Sequence, residues 1–225
     1  MTNLNSIEHH FVSILSIKLD LPSDYSEIET DYLIGIFNTR IKEHDGKTFY
    51  LSKNEFSIYF DESPDAINCS IDLYLRILKL NQNRKDDSQI SFCSASGFGE
   101  TIIEGNNLTG TIINQVKEIL SITPQNKIYF TAEIKSKIHH RLNLEIISVG
   151  EFEIQNQKRE LFSVNPTAII NNLQSSLLKL NKEENRNTHR DAIPNNSSIK
   201  KKLSVVQIIS IFVIIIAVLK LLGVW

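Results

Sequence analysis

The run LSVVQIISIFVIIIAVLKLLGVW, residues 203–225, carries one charge, Lys220, close to its far end. At ~1.5 Å per residue, a helix of that length crosses the ~30 Å hydrocarbon core of a bilayer. Inside lipid every backbone N–H and C=O must be satisfied within the segment, so a lone span there has to be helical. A buried core helix is the competing reading, but such helices are seldom this long or Ile/Val-rich all round. The run is therefore read as a single transmembrane anchor. Lys200, Lys201 and Lys202 abut its N-terminal side, and the positive-inside bias then keeps the rest of the chain cytoplasmic. Lys220 can snorkel to the opposite interface, where Trp225 serves as an aromatic anchor. The expectation is a single-pass membrane protein whose soluble domain faces the cytoplasm.

The chain has 225 residues, room for one ordinary domain ahead of that anchor. A net charge of −2 argues against nucleic acid as a partner, since phosphate contacts favour an excess of Lys and Arg. The two cysteines, Cys69 and Cys93, fall in different elements and make neither a disulfide framework nor a zinc site. They read as small apolar residues in a reducing compartment. The first ten residues contain no apolar run and do not read as a signal peptide.

Periodicity organises residues 1–165. HFVSILSIKL (10–19) alternates as a strand. A helix is expected from about 24 to 43, with Ile28, Tyr32, Ile36, Phe37 and Arg40 along one stripe. KTFYLSKNEFSIYF (47–60) reads as a hairpin whose tip carries Lys53, Asn54 and Glu55 rather than the glycine such turns favour. Ser63-Pro64-Asp65 starts a second helix, with Ser63 as its N-cap and Ile67, Ile71, Tyr74 and Leu78 facing inward. QISFCSASGFGETII (89–103) follows as a strand, with Gly97 and Gly99 near a bend or hairpin. A third helix covers about 109–121, then a strand at NKIYFT, a short helix to about His139, and a closing hairpin around Asn156. The order β-α-β-β-α-β-α-β-α-β-β implies an α+β sandwich, helices on a mainly antiparallel sheet.

In 166–182, Ile170, Leu173, Leu177 and Leu180 are spaced as an amphipathic helix. So short a seam leaves two readings open, a short coiled coil or a helix packing back on its own domain. Residues 183–202 are nearly devoid of apolar side chains and read as a flexible linker. The adjacent pairs His9-His10 and His139-His140 diverge on any regular element and read as surface residues. GFGET lacks the Gly-Lys-Ser/Thr of a phosphate loop.

Four segments in order carry a resemblance: IKEHDGKTFYLSKNEFSIYFDESPDAI, SASGFGE, GTIINQVKEILSITPQNKIYFT and VGEFEIQNQKRELFSV. Together they resemble the class III nucleotidyl (adenylate/guanylate) cyclase catalytic domain over about residues 10–164. The resemblance implies a ferredoxin-like, cyclase-type sandwich. It also implies the family's phosphoryl transfer, in which two Asp residues hold two divalent ions. One Asp lies on the first strand and one at the hairpin tip, while an Asn and an Arg sit four residues apart on the third helix.

On this sequence those Asp positions fall at Ser16 and Asn54, the Asn at Asn114, and the Arg at Glu118. The base-reading positions fall at Tyr50 and about Asn107. Neutral Ser16 and Asn54 are poor ligands for ions that prefer carboxylates. Glu118 would set negative charge beside phosphates. The expectation is a degenerate site with no catalytic residue, metal or cofactor, and with Asn114, Tyr50 and Asn107 as weak nucleotide-pocket positions. The leading reading is a membrane-anchored, catalytically inactive regulatory or binding module, homodimeric or paired with a related cyclase domain. Two alternatives stand beside it: an active cyclase with displaced metal ligands, and a membrane-perturbing effector triggered by association of its anchor.

Overall fold

The computed structural model describes residues 8–104, 107–139, 141–142 and 144–165, with only the backbone of residues 8, 104 and 107. The chain divides into two units, Met1–Ser176 and Leu177–Trp225. The expected helix at 166–182, the linker and the anchor all lie outside the described residues. Among the described residues no helix is long and apolar enough to cross a membrane.

The elements are β1 (Glu8–Asp20), α1 (Glu27–Glu43), β2 (Lys47–Leu51), β3 (Glu55–Phe60), α2 (Ser63–Asn81), β4 (Ser91–Glu104), β5 (Asn107–Thr109), α3 (Thr111–Ile122), β6 (Lys127–Thr131), α4 (Ala132–Ile138), β7 (Ile146–Ile154) and β8 (Gln157–Val164). The strands form one sheet in the order β2-β3-β1-β4-β6-β8-β7, with β5 added beside β4. Among the described residues, only β4 and β6 pair in parallel.

Both faces of this sheet are covered. Leu15, Ile17 and Leu19 of β1 pack with Leu33, Phe37 and Ile41 of α1, Ile67 and Leu73 of α2, and Ile134 and Ile138 of α4. Val12 and Ile14, on alternate positions of the same strand, pack instead with Ile112, Val116 and Ile119 of α3. Three helices therefore cover one face and α3 alone covers the other.

β4 runs unbroken through Gly97 and Gly99 and pairs antiparallel with β5 beyond them. Their purpose is clearance. A Cβ on Gly97 would lie 2.8 Å from Val116 and 2.9 Å from Ile112, and one on Gly99 would lie 3.0 Å from Ile112. Cys93, Ala95, Gly97 and Gly99 make a track of shrinking side chains on which α3 lies.

Two helix details depart from the sequence reading. The N-cap of α2 is Glu62, and Ser63 instead bonds hydroxyl to hydroxyl with buried Ser13 at 2.6 Å. A buried hydroxyl needs a partner, and that demand outranks the cap. On α1 the buried residues are Thr30, Leu33, Phe37 and Ile41, while Ile28 and Tyr32 of the expected stripe are 82% and 65% exposed. The helix closes on a Schellman turn, in which the Gly46 N–H donates to the Ile41 carbonyl at 2.8 Å and Asp45 sits at φ 58°.

Candidate functional site

The α3 face of the sheet holds the positions singled out by the sequence. Tyr50, Ser57, Ser16 and Ala95 form one row across β2, β3, β1 and β4. Ser16 is fully buried, with its hydroxyl 3.2 Å from that of Ser57. Asn54 lies three residues from Ser57, about 10 Å along the strand. The register therefore does not bring Ser16 and Asn54 together.

Beside the hairpin tip the strands offer other side chains. Lys18 is paired with Glu55 on β3 and with Cys93 on β4. Side chains two apart share a face, so Lys18 and Glu55 lie on the same face as Ser16. Asn54 is used locally: its Nδ2 donates to the Leu19 carbonyl at 3.4 Å, and its own carbonyl accepts the Leu19 N–H at 2.8 Å.

An ammonium, an amide tied to backbone and a buried pair of hydroxyls, with Glu55 as the one carboxylate on that face beside the tip, do not fit two divalent ions, which take several carboxylate oxygens. Among the described residues no group of three or more His, Cys, Asp or Glu side chains could hold a metal ion.

Lys18, Asp20, Cys93, Leu120 and Gln125 also line a cleft of about 240 Å³ at this end of the sheet. Gln125 bridges its rim, donating to Asp20 at 3.1 Å and accepting from Ser91 at 3.4 Å. Burial pushes the Cys93 thiol up, against the opposing effect of the Lys18 charge, so the sulfur there is a protonated wall rather than a nucleophile.

On α3, Asn114 and Glu118 lie one turn apart, and Asn114 is exposed. Glu118 is occupied. Its carboxylate accepts the N–H of Gln155 at 3.0 Å, in the β7–β8 turn. Gln155 and Asn156 there both have positive φ, 50° and 60°, the geometry of a type I′ turn that Gly normally favours. The acid thus supports a strained turn. Tyr50 meets the same helix through Lys117, whose Nζ lies 5.3 Å from the ring centre. Asn107 opens β5 opposite Glu104. Sequence reasoning overlooked Lys18, Lys117 and Gln155. The strand alternation that marked Ser16 also put Lys18 on its face, and was the one signal that could have found it.

The N-terminus of α1 follows β1 at the same end of the sheet. Ser26 and Glu29 form a capping box, with the Ser26 N–H donating to Glu29 at 2.9 Å and Arg84 donating to the same carboxylate group at 2.7 Å. These bonds from Ser26, and then Arg84, hold the Glu29 carboxyl down at about 2. A helix end that could cradle an anion is filled by the chain's own carboxylate.

Solved structures match this arrangement at low sequence identity. The adenylate/guanylate cyclase/hydrolase from Silicibacter pomeroyi superposes with a TM-score of 0.63 at 13% identity, over 70% of this chain and 97% of that one. The fold is that of the class III nucleotidyl cyclase catalytic domain. An adenylyl cyclase from P. aeruginosa gives 0.62 at 11% identity, over 70% of this chain and 95% of its own. The guanylate cyclase domain from Catenaria anguillulae, in complex with GTP, gives 0.56 at 11%, over 70% and 98%. No protein-family model matches the sequence, and no curated protein does. The chain thus shares the cyclase fold with these structures at 11–13% identity.

Proposed function

We propose that this chain is a catalytically silent cyclase-like domain, held by residues 203–225 at the cytoplasmic face of a membrane and acting there as a binding or regulatory module. The observation that carries this reading is the pairing of β1 with β3, which sets the Lys18 ammonium beside the hairpin tip. A lysine there, its charge partly offset by Glu55 across the strand pair, opposes the divalent ions on which phosphoryl transfer by this fold depends. Glu118, committed to Gln155, adds negative charge where a developing phosphate charge needs a donor.

Its partner in this reading is a second copy or a related cyclase domain, paired head to tail as in the family the sequence resembles. A nucleotide is held without turnover, against Asn114, Tyr50 and Asn107. The test uses the full chain in lipid nanodiscs with ATP or GTP and Mn²⁺. No cyclic nucleotide is expected, and steady production above a protein-free control would overturn the reading. Mixed with a competent cyclase, the chain is expected to lower activity. Losing the transition-state arginine from a shared site costs on the order of 10³-fold in this chemistry.

A further inference from the structure

The outer face of α1 is built for a partner helix. Ile28, Tyr32, Gly35 and Thr39 follow one another at spacings of four, three and four residues, which aligns them along one side of the helix. All four are exposed. They lie opposite Leu33, Phe37 and Ile41, so α1 carries two large exposed apolar side chains, Ile28 and Tyr32, on the side away from its buried residues. The Thr39 hydroxyl is taken up by the Gly35 carbonyl at 2.9 Å, so the stripe between Ile28 and Thr39 presents no charge.

Gly35 supplies an independent argument. Glycine inside a helix is destabilising relative to alanine and normally has a packing reason. Gly46, Gly97 and Gly99 each have one, because a Cβ there would meet neighbours at 3.0 Å or closer. A Cβ at Gly35 would meet nothing within 4 Å. The chain's own packing does not require it. A second helix crossing closely at that point does, since small residues allow backbones to approach.

We infer that this second helix is α1 of another copy, crossing antiparallel at Gly35. The residue is the midpoint of Glu27–Glu43, so a two-fold axis through it matches the two helices end to end. The charges agree with that arrangement. Exposed Glu27 and Asp31 lie toward the first turn and exposed Lys42 toward the last, while exposed Glu43 is paired with Arg40 of its own helix, so antiparallel helices set the acids of one copy against the Lys42 of the other. A parallel partner would oppose like charges.

One crossing buries well under the ~1,600 Å² of a standard interface, so the contact is weak for free molecules and gains from confinement in one membrane plane. It lies on the three-helix side of the sheet, independent of the α3 face and of the catalytic reading. Two separate two-fold contacts on one subunit link copies into an assembly larger than a dimer.

A mixture of Asp31→Cys and Thr39→Cys copies tests this directly and leaves Gly35 in place. An antiparallel crossing at Gly35 sets residue 31 of one copy level with residue 39 of the other, within reach of a disulfide. Full-length copies mixed on lipid vesicles and treated with a mild oxidant are expected to form this cross-link at least ten times faster than Thr39→Cys mixed with Glu145→Cys, an exposed position beside edge strand β7. Adding Tyr32→Glu should remove that advantage. Cross-linking of the 31/39 mixture at the control rate, or an advantage that survives Tyr32→Glu, would overturn the self-pairing. Urea unfolding of each variant confirms that the domain is intact, and cyclase assays on the same samples report separately on the catalytic reading.

Discussion

α1 and α3 are both single helices laid on the same sheet, yet they meet it in opposite ways. The apolar residues of α3 fall on one side, and the strand beneath has given up side chains to receive them. α1 has apolar residues on two sides and a glycine that nothing nearby demands. A helix whose partner is entirely within the chain carries a one-sided pattern. A helix with a second apolar side points to a partner outside it.

The sharpest way to break this contrast is to give side chains to a glycine of the strand beneath α3 and to the glycine within α1. Gly97→Val drives branched carbon into Val116 and Ile112, and is expected to destabilise the domain by about 3 kcal/mol, read as a lower urea midpoint. Gly35→Ala, the same kind of change in open space, is expected to act in the opposite direction. It should raise stability by about 0.5–1 kcal/mol in dilute solution, because only the helix propensity changes. Equal effects of one sign would mean that the two helices do not differ as described.

Between those extremes lies Glu118→Ala, which removes the acceptor for Gln155 and leaves a positive-φ turn unsupported. A loss of about 1–2 kcal/mol is expected, with faster amide exchange confined to the β7–β8 turn. If exchange is unchanged there, the acid has no structural duty and the Glu118 position must be explained otherwise.

The smallest effect is with pH. α1 is pinned at its start by Glu29 and at its end by the approach of His44 and Arg40 to Asp72 on α2, at 3.5 Å and 3.9 Å. Burial raises the Asp72 carboxyl, but the bond from His44 and the charges of Arg40 and Arg76 outweigh it and hold the group below its ordinary value. Both acids are therefore lowered on folding. Their contribution is complete above the ordinary carboxylate range and is lost as pH falls through the lower folded values, down to about 2 for Glu29. Amide exchange between pH 7 and pH 3 should loosen α1 before α3, and Asp72→Asn should narrow that difference at the C-terminal end of α1.

The same pair of helices shows where sequence was readable. α3 has one apolar periodicity, so Ile112, Val116 and Ile119 were legible as its inner side. On α1 two stripes compete, and the one through Ile28 and Tyr32 is as regular as the buried one. Periodicity cannot rank two apolar stripes; only the neighbouring strands decide. Gly97 and Gly99 read as lying near a bend or hairpin, and β4 does go on to pair with β5, but their role as clearance was hidden because glycine marks turns and close approaches alike and the approaching helix lies more than ten residues further on. The site was legible in its strands and helix but not in its register. Ser16 and Asn54 were each assigned through local likeness, whereas their distance apart depends on a hydrogen-bond ladder between strands.

β1 occupies the middle of the sheet, and this has a consequence for the order in which the protein is made. It leaves the ribosome before both of its neighbours, and one of its edges is closed by β3 and the other by β4, with contacts such as His9–Glu100 spanning 91 residues. At about 5–20 residues per second, several seconds pass between synthesis of the strand and arrival of its second neighbour. During that interval an apolar strand has one row of backbone donors and acceptors without mates. Folding is therefore gated by a distant segment, and anything that slows translation before residue 104 prolongs the period in which this chain is vulnerable to chaperones, proteases and its own copies.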